Sequence, residues 1–421
     1  MGIVSKIKNN TILTNIASLG LLQMANYVIP ILVIPFVVRA LGADGFGKAS
    51  YAQNIITYLT VLVNFGFDYS ATRDIAINKD NKDAVRNIFW SVIKHKSILL
   101  VISFIALGIM YFTLPKVTDD LPLYVYAALL NVGFVFFPTW FFQGIEKMGK
   151  MAIFNFVSRA FGGLLVVLLV RETSDYRLYI FLNSIVYVFV GLTAFLYVVK
   201  KYDLLPYASD RQVFKESFTK SFPIFLNTLC AMFYTIFGMT LLGNYVSDAE
   251  LGIYAGSYRI VNAITMLAAM PIHLAIFPNV SKKFNENLKL GFTYLNRIIL
   301  LVLPLMLILT IIIWFTSPIL VNLFLGPEFT KSIIVLKYFS PLPLLIVLAS
   351  FYTVQGLYAL QLQKYAPLVG LTVAIFCVVL NLLIIPKYGI IGAVVAFLLS
   401  ELFEIVISAS IVFYYKRKSI A

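Results

Sequence analysis

The stretch IILLVLPLMLILTIIIWF, residues 298–315, runs through eighteen positions without an Asp, Glu, Lys or Arg. A helix needs roughly 20 mostly apolar residues to cross the hydrocarbon of a bilayer, whereas a membrane β-strand needs only about 9 to 11. The run therefore reads as the body of a transmembrane helix from Phe292 to Phe315, and the rest of the chain reads the same way. With 61% apolar residues, 12% charged residues and a mean hydropathy of +0.91, the 421 residues carry too little polar surface to cover a water-soluble globule. The expected class is an all-α integral membrane protein.

Moving outward in steps of about 20 residues gives twelve spans. They are Ile12 to Val38, Gly47 to Phe67, Ile88 to Phe112, Leu121 to Phe142, Ala152 to Val170 and Leu178 to Val199, followed by Phe218 to Tyr245, Leu251 to Val280, Phe292 to Phe315, Ile333 to Tyr358, Ala366 to Ile385 and Ile390 to Phe413. The first is longer than a secretory signal and lacks its small-residue cleavage site, so it reads as a retained span. Cys230 and Cys377 sit in apolar surroundings, where a free cysteine acts as a small hydrophobe, and no Cys/His grouping suggests a metal. The longest connectors, Asp68 to Asn87 and Lys200 to Ser217, are polar strips too short for a soluble domain.

Basic residues set the expected orientation. Taking the N-terminus and every second connector together, 23 Lys and Arg lie on one side and 8 on the other. Cytoplasmic loops carry the excess of Lys and Arg, so both termini are expected in the cytoplasm of a bacterial inner (cytoplasmic) membrane protein. The same rule accounts for the net charge of +14: these residues flank spans and form no base-reading motif, so no nucleic-acid partner is expected and membrane lipids are.

Two echoes suggest internal duplication. Phe46-Gly47-Lys48-Ala49-Ser50-Tyr51 opens the second span and Leu251-Gly252-Ile253-Tyr254-Ala255-Gly256 the eighth, each after an acidic turn. Trp140-Phe141-Phe142-Gln143-Gly144 closes the fourth span, and Tyr352-Thr353-Val354-Gln355-Gly356 lies near the end of the tenth. The reading is two pseudo-symmetric six-helix lobes, residues 1–205 and 206–421, around a central cavity. That is an architecture suited to alternating access. Prolines inside the spans, among them Pro30, Pro35, Pro138, Pro223 and Pro304, permit kinks without requiring them.

Several stretches also carry a family resemblance. Residues 35–47 (PFVVRALGADGFG), then Asn64-Phe65-Gly66-Phe67-Asp68 and Ala71-Thr72-Arg73-Asp74-Ile75-Ala76, resemble the amino-terminal signature of bacterial Wzx-type O-antigen flippases, and residues 140–148 and 251–255 extend the match. The resemblance implies membership of the multidrug/oligosaccharidyl-lipid/polysaccharide exporter superfamily. It further implies a cargo of undecaprenyl-pyrophosphate-linked oligosaccharide, turned from the cytoplasmic to the outer leaflet, with other polysaccharide-assembly proteins as partners. It does not imply an enzyme or a cofactor; coupling to a proton or sodium gradient is expected instead from Glu401 and Glu404.

Four charges are stranded inside expected spans and away from the ends of the apolar stretches, where the other charges fall: Arg159, Arg259, Glu401 and Glu404. An ionisable group there costs roughly 2.5 to 3.5 kcal/mol even on the lenient insertion scale, which makes each a functional candidate. Arginine suits a pyrophosphate because its planar fork holds two oxygens and stays charged when buried. Arg259 and Arg159 are the candidate cargo-binding residues, with Arg39, at the end of the first span, as a third. Structural ion pairs and a snorkelling anchor are the corresponding bland readings. Glu401 and Glu404, three apart, share a helix face. Two carboxylates that close in low dielectric do not both ionise easily, as ion coupling requires, although a hydrogen-bonded structural cluster would look alike. His273 reads first as an interior hydrogen-bonded histidine. A cation-coupled multidrug exporter of the same superfamily would be expected to lack the arginines. A membrane polysaccharide polymerase or glycosyltransferase would be expected to show a long extramembrane loop or an acidic metal site.

Overall fold

The computed structural model describes residues 11–207 and 209–420, with side chains from residue 28 onward except at 270, 271, 273–275, 419 and 420. The side chains of Lys6, Lys8 and His273 lie outside that description. Within it the regular structure is helical, joined by short turns and connectors, and each of the twelve expected spans falls on helix. Nine helical stretches among the described residues are long and apolar enough to cross a membrane, two of them holding two spans each.

Those two double spans are α1 (Thr11–Asn64) and α14 (Ala366–Ile420). Each is continuous except for one glycine: Gly42, at φ 62° and ψ −176°, and Gly389, at φ 51° and ψ −128°. A side chain at positive φ would be strained, so glycine marks the place where one span can end and the next begin without a loop.

By internal contacts the chain forms two compact units. One runs to Leu41 and resumes over Ala52–Leu229; the other comprises Gly42–Tyr51 and Cys230–Ala421. The division read from sequence, at 205/206, lies in the polar connector, whereas the contact division lies within α9 (Arg211–Leu242).

The first unit contains α2 (Phe67–Ile77), α3 (Lys82–Thr113), α4 (Pro115–Asp119), α5 (Leu121–Phe136), α6 (Thr139–Gly144), α7 (Met148–Leu169) and α8 (Tyr176–Lys201). The expected fourth span, Leu121 to Phe142, is interrupted. Phe137 is extended at φ −87° and ψ 98°, the conformation a following proline favours, and α6 starts afresh after Pro138. α5 and α8 approach at backbone distance: a Cβ placed on Gly191 would lie 2.6 Å from the Gly133 carbonyl oxygen. Small residues allow this kind of helix contact in a membrane. An aromatic core of Phe67, Phe89, Trp140, Phe141 and Phe142 fills the region between α2, α3 and α6.

The described connector residues 202–207, 209 and 210 are strapped to α3. Lys82 Nζ meets Asp203 Oδ2 at 2.6 Å, Arg86 donates to the carbonyls of Leu205 and Pro206, and Trp90 Nε1 donates to those of Leu204 and Leu205. The Asp210 amide donates to Asn87 Oδ1 at 2.9 Å. The first turns of α9 continue the attachment, with Ser217 against Ser91, Ser221 against Ser70, and Phe218 and Phe225 stacked on Phe65 at 4.6 Å. This is why the connector and the start of α9 belong to the first unit. The hydrogen bond from Lys82 holds the Asp203 carboxyl below the usual carboxylate range, so that bond persists above about pH 4 and is lost as the pH falls through the lowered value.

The second unit is built from α10 (Asp248–Glu286), α11 (Leu288–Phe324), α12 (Ser332–Phe339), α13 (Leu342–Tyr352) and α14. The acidic turn before α10 is a capping box: the Ser247 hydroxyl accepts from the Glu250 amide, and the Glu250 carboxylate accepts from the Ser247 amide. The expected tenth span, Ile333 to Tyr358, is divided by Ser340 and Pro341 and ends in a π-helical turn, Thr353–Tyr358.

The first sequence echo is a physical contact. A Cβ on Gly47 would lie 1.8 Å from the Asp248 carbonyl oxygen, and one on Gly252 would lie 2.1 Å from the Ala43 carbonyl oxygen. The opening turns of the second and eighth spans thus touch backbone to backbone, with Tyr51 reaching the Thr240 carbonyl alongside. Gly252→Ala must push these helices apart. It is expected to cost about 1–3 kcal/mol, the range for overpacking a close contact. A thermal melt of the detergent-purified protein should show the loss, and an unchanged melt would contradict the contact.

Candidate functional site

Charged side chains inside the helices define the candidate sites, and each unit holds its own set. In the first unit the most deeply placed is one that sequence reading counted among the basic residues at a span end. Lys96 lies fourteen residues into α3, about 21 Å along its axis, and only 1% of its side chain is exposed. Its ammonium donates to Asn64 Oδ1 at 3.1 Å and to the Phe134 carbonyl at 3.4 Å, and it faces Asp68 Oδ1 at 3.7 Å. Asp68 also accepts from the Thr139 hydroxyl at 3.1 Å. The count of four stranded charges is therefore corrected to include Lys96.

The family-like stretch residues 64–68 explains this geometry. Phe65 at φ 47° and Gly66 at φ 80° turn the chain sharply between α1 and α2. The turn brings Asn64 and Asp68 to the same ammonium. Two further family-like stretches, residues 71–76 and 140–148, pack on each other: Thr72 donates to the Trp140 carbonyl at 3.1 Å and to Gln143 Oε1 at 3.4 Å, and a Cβ on Gly144 would lie 2.7 Å from Ile75 Cγ2. Nearby, Thr60 donates to Asn131 Oδ1 at 2.7 Å, while the Asn131 amide nitrogen and the Trp140 indole nitrogen have no partner among the described residues.

Arg159 and Arg39 also belong to the first unit, and both are exposed. Arg159 lies midway along α7. Two glycines seat that helix: Gly162 faces Val186 of α8 and Gly163 faces Val33 of α1. Arg39 stands three residues before the Gly42 break.

In the second unit, Arg259 lies eleven residues into α10, about 16 Å from its start, and is half-buried. Its guanidinium carbon sits 4.7 Å from the centre of the Phe46 ring, and Nη2 donates to the Ser50 hydroxyl at 3.4 Å. Phe46 and Ser50 come from the echo stretch that opens the second span. The arginine is thus held by the segment that Gly47 and Gly252 allow to come close. A guanidinium lying on an aromatic face is attracted there by the ring quadrupole.

Glu401 and Glu404 project from α14. Glu401 is 3% exposed and Glu404 is half-buried. On the same helix Cys377 Sγ donates to the Tyr234 carbonyl at 3.4 Å and Phe397 packs edge-on against Tyr258, so residues from α9 and α10 share this region with α14. Asn381 donates to the Cys377 carbonyl at 2.7 Å, and its own Oδ1 is buried without a partner among the described residues. Ser408 continues the stripe of Glu401 and Glu404 one turn further on, and its buried hydroxyl is likewise unpartnered. Gln355, wholly buried in the π-helical turn, has neither amide atom paired among the described residues. Unpaired polar groups at such depth are costly, and π-turns recur at functional sites. Among the described residues no group of three or more His, Cys, Asp or Glu side chains could hold a metal ion.

The family described as polysaccharide biosynthesis protein matches residues 12–284. The chain belongs to that family. It is 28% identical over 387 residues, 92% of this chain and 93% of the relative, to a protein of Escherichia coli (strain K12) named "Putative O-antigen transporter". A Shigella dysenteriae protein of the same name is 25% identical over 92% of this chain and 96% of its own length. Among solved structures, a multidrug resistance MATE family transporter of the MOP superfamily, in an inward-facing conformation, superposes with a TM-score of 0.68. It does so at 15% identity over 96% of this chain and 99% of its own. The lipid II flippase MurJ also gives 0.68, at 14% identity over 92% of this chain and 86% of its own. These likenesses show the fold: an all-α membrane transporter fold of about twelve spanning helices, with no enzyme among these relatives.

The Lys96 cluster predicts a measurable asymmetry. Asp68→Asn leaves a buried ammonium without its carboxylate, while Lys96→Met removes the charge itself. Breaking a buried pair costs about 3–5 kcal/mol, and less here because Asp68 is 40% exposed. Thermal melts should rank Asp68→Asn below Asp68→Asn/Lys96→Met; the reverse order would mean that the lysine is not held by this carboxylate.

Proposed function

We propose that the protein is a flippase that carries lipid-linked oligosaccharide, an O-antigen or related polysaccharide repeat unit on undecaprenyl pyrophosphate, from the cytoplasmic to the outer leaflet of the bacterial inner membrane. Both termini face the cytoplasm, in keeping with the bias of basic residues. Transport follows alternating access, and other polysaccharide-assembly proteins supply and receive the cargo.

The observation that carries this reading is the intramembrane Arg259, seated on Phe46 and Ser50, in a chain whose relatives are named O-antigen transporters. A pyrophosphate must exchange water for fixed donors as it enters a low-dielectric interior. A planar guanidinium meets that need with two parallel hydrogen bonds. Arg159 and Arg39, both exposed on the first unit, are the further cations proposed to meet the headgroup.

Coupling to a proton or sodium gradient is proposed to reside in Glu401 and Glu404. A carboxylate as deeply buried as Glu401 is stabilised by gaining a proton or a monovalent cation. The unpaired oxygens of Asn381 and Gln355 in the same unit are ready acceptors or ligands.

Surface glycan measured at matched protein levels tests the cargo role. Arg259→Ala should reduce display about 10- to 150-fold, the equivalent of losing hydrogen bonds to a charged group, and Arg259→Lys should retain part of it. Full display in the alanine variant would remove Arg259 from the cargo path. In reconstituted vesicles, Glu401→Gln/Glu404→Gln should abolish the response to an imposed ion gradient, and an unaltered response would refute the coupling assignment.

A further inference from the structure

The first unit holds a cavity of about 450 Å³ between α3 and α9 that none of the proposed transport steps uses. Its walls are apolar, with Ile98, Leu99 and Ile102 on α3 and Phe214 and Phe218 on α9, while Arg211 and Lys215 stand at one end. The two helices run side by side from the same end. The Asp210 amide meets Asn87, Ser217 meets Ser91, and the Phe214 ring stacks on His95 at 3.6 Å and 9°.

Each helix presents the same order of side chains to the slot. On α3, Lys94 precedes Ile98 and Ile102 at intervals of four; on α9, Arg211 and Lys215 precede Phe218. Lys94 turns over the Phe214 ring at 5.1 Å, which brings its ammonium to the mouth from the other wall. Three cations therefore cap an apolar slot whose lip, Ile98, Ile102 and Phe218, is 41–46% exposed. The nearby acids are engaged elsewhere. Glu216 accepts from Gln212 at 3.0 Å and pairs with Lys220 at 3.4 Å, and Asp210 accepts from the Gln212 amide at 2.7 Å.

We propose that this slot is a binding site for an anionic phospholipid, with one acyl chain between α3 and α9 and the phosphate among Lys94, Arg211 and Lys215. The walls offer almost no hydrogen-bonding atoms, so a glycan placed there would lose its water without replacement, whereas hydrocarbon loses nothing. The cations supply the preference for a negative headgroup, as basic residues do beside an anionic leaflet. His95, buried and bonded to the Ser91 carbonyl at 2.9 Å, forms the rigid floor on which Phe214 rests. Occupancy would brace the start of α9, the helix by which the chain leaves this unit.

Native mass spectrometry of the full chain, loaded in detergent with phosphatidylglycerol or with phosphatidylcholine of the same acyl chains, tests the site. Phosphatidylglycerol should be retained in preference. Arg211→Gln/Lys215→Gln should reduce its retention about 10- to 30-fold, from the attraction expected of two surface cations. Ile102→Trp, which fills the slot and leaves the charges in place, should reduce retention of both lipids. Lys200→Gln/Lys201→Gln, an exposed basic pair at the end of α8, should change neither. Equal retention of the two lipids, an effect of the α8 pair equal to that of the α9 pair, or displacement of phosphatidylglycerol by an equimolar polyprenyl diphosphate would overturn the proposal.

Discussion

In hydrocarbon there is no water to satisfy a free amide or carbonyl, and this constraint governs where the chain can depart from a regular helix. Each departure has a local remedy. Gly42 and Gly389 break the helical path at a single residue, and Phe65-Gly66 turns the chain within two. Proline accounts for the pause at Phe137, because the residue before it is held extended. The π-turn at Thr353–Tyr358 differs, since there the backbone is accommodated while the Gln355 side chain is left buried with both polar atoms unpaired.

The same constraint explains which features the sequence displays. Spans are legible because length and hydropathy alone decide them, and all twelve fall on helix. Lys96 was not legible as an interior charge, because counting basic residues near a span end treats Lys94 and Lys96 alike. Their spacing held the clue: residues two apart on a helix point to opposite faces, so one of the two had to turn inward. The motif at residues 64–68 was recognisable by resemblance, but its physical purpose, two oxygen ligands for one ammonium, required the turn to be seen. Arg259 and Glu401 were found from sequence because an arginine or a glutamate in the middle of a span admits few bland explanations. Their surroundings of Phe46, Ser50, Tyr234 and Tyr258 come from other helices and leave no periodic trace.

The echo between residues 46–51 and 251–256 illustrates a different kind of legibility. Read as a repeat, it suggests duplication; in the fold it is a meeting of two backbones that only glycine permits. Gly47 and Gly252 let α1 and α10 close to a distance at which Phe46 and Ser50 reach the Arg259 guanidinium. A packing requirement and a candidate binding group are therefore written in the same six residues, which is why neither can change independently of the other.

The polar strip 202–210 looks, by composition, like a flexible tether, whose end-to-end distance would wander with the square root of its length. Bonded along α3 through Asp203, Leu205, Pro206 and Asp210, it is instead a strut. Its conformational entropy is lost once, at folding, and not again with each movement of the protein. Replacing these nine residues with a glycine-serine segment of equal length would preserve connectivity yet change the mechanics, turning a fixed lever arm into a slack cord.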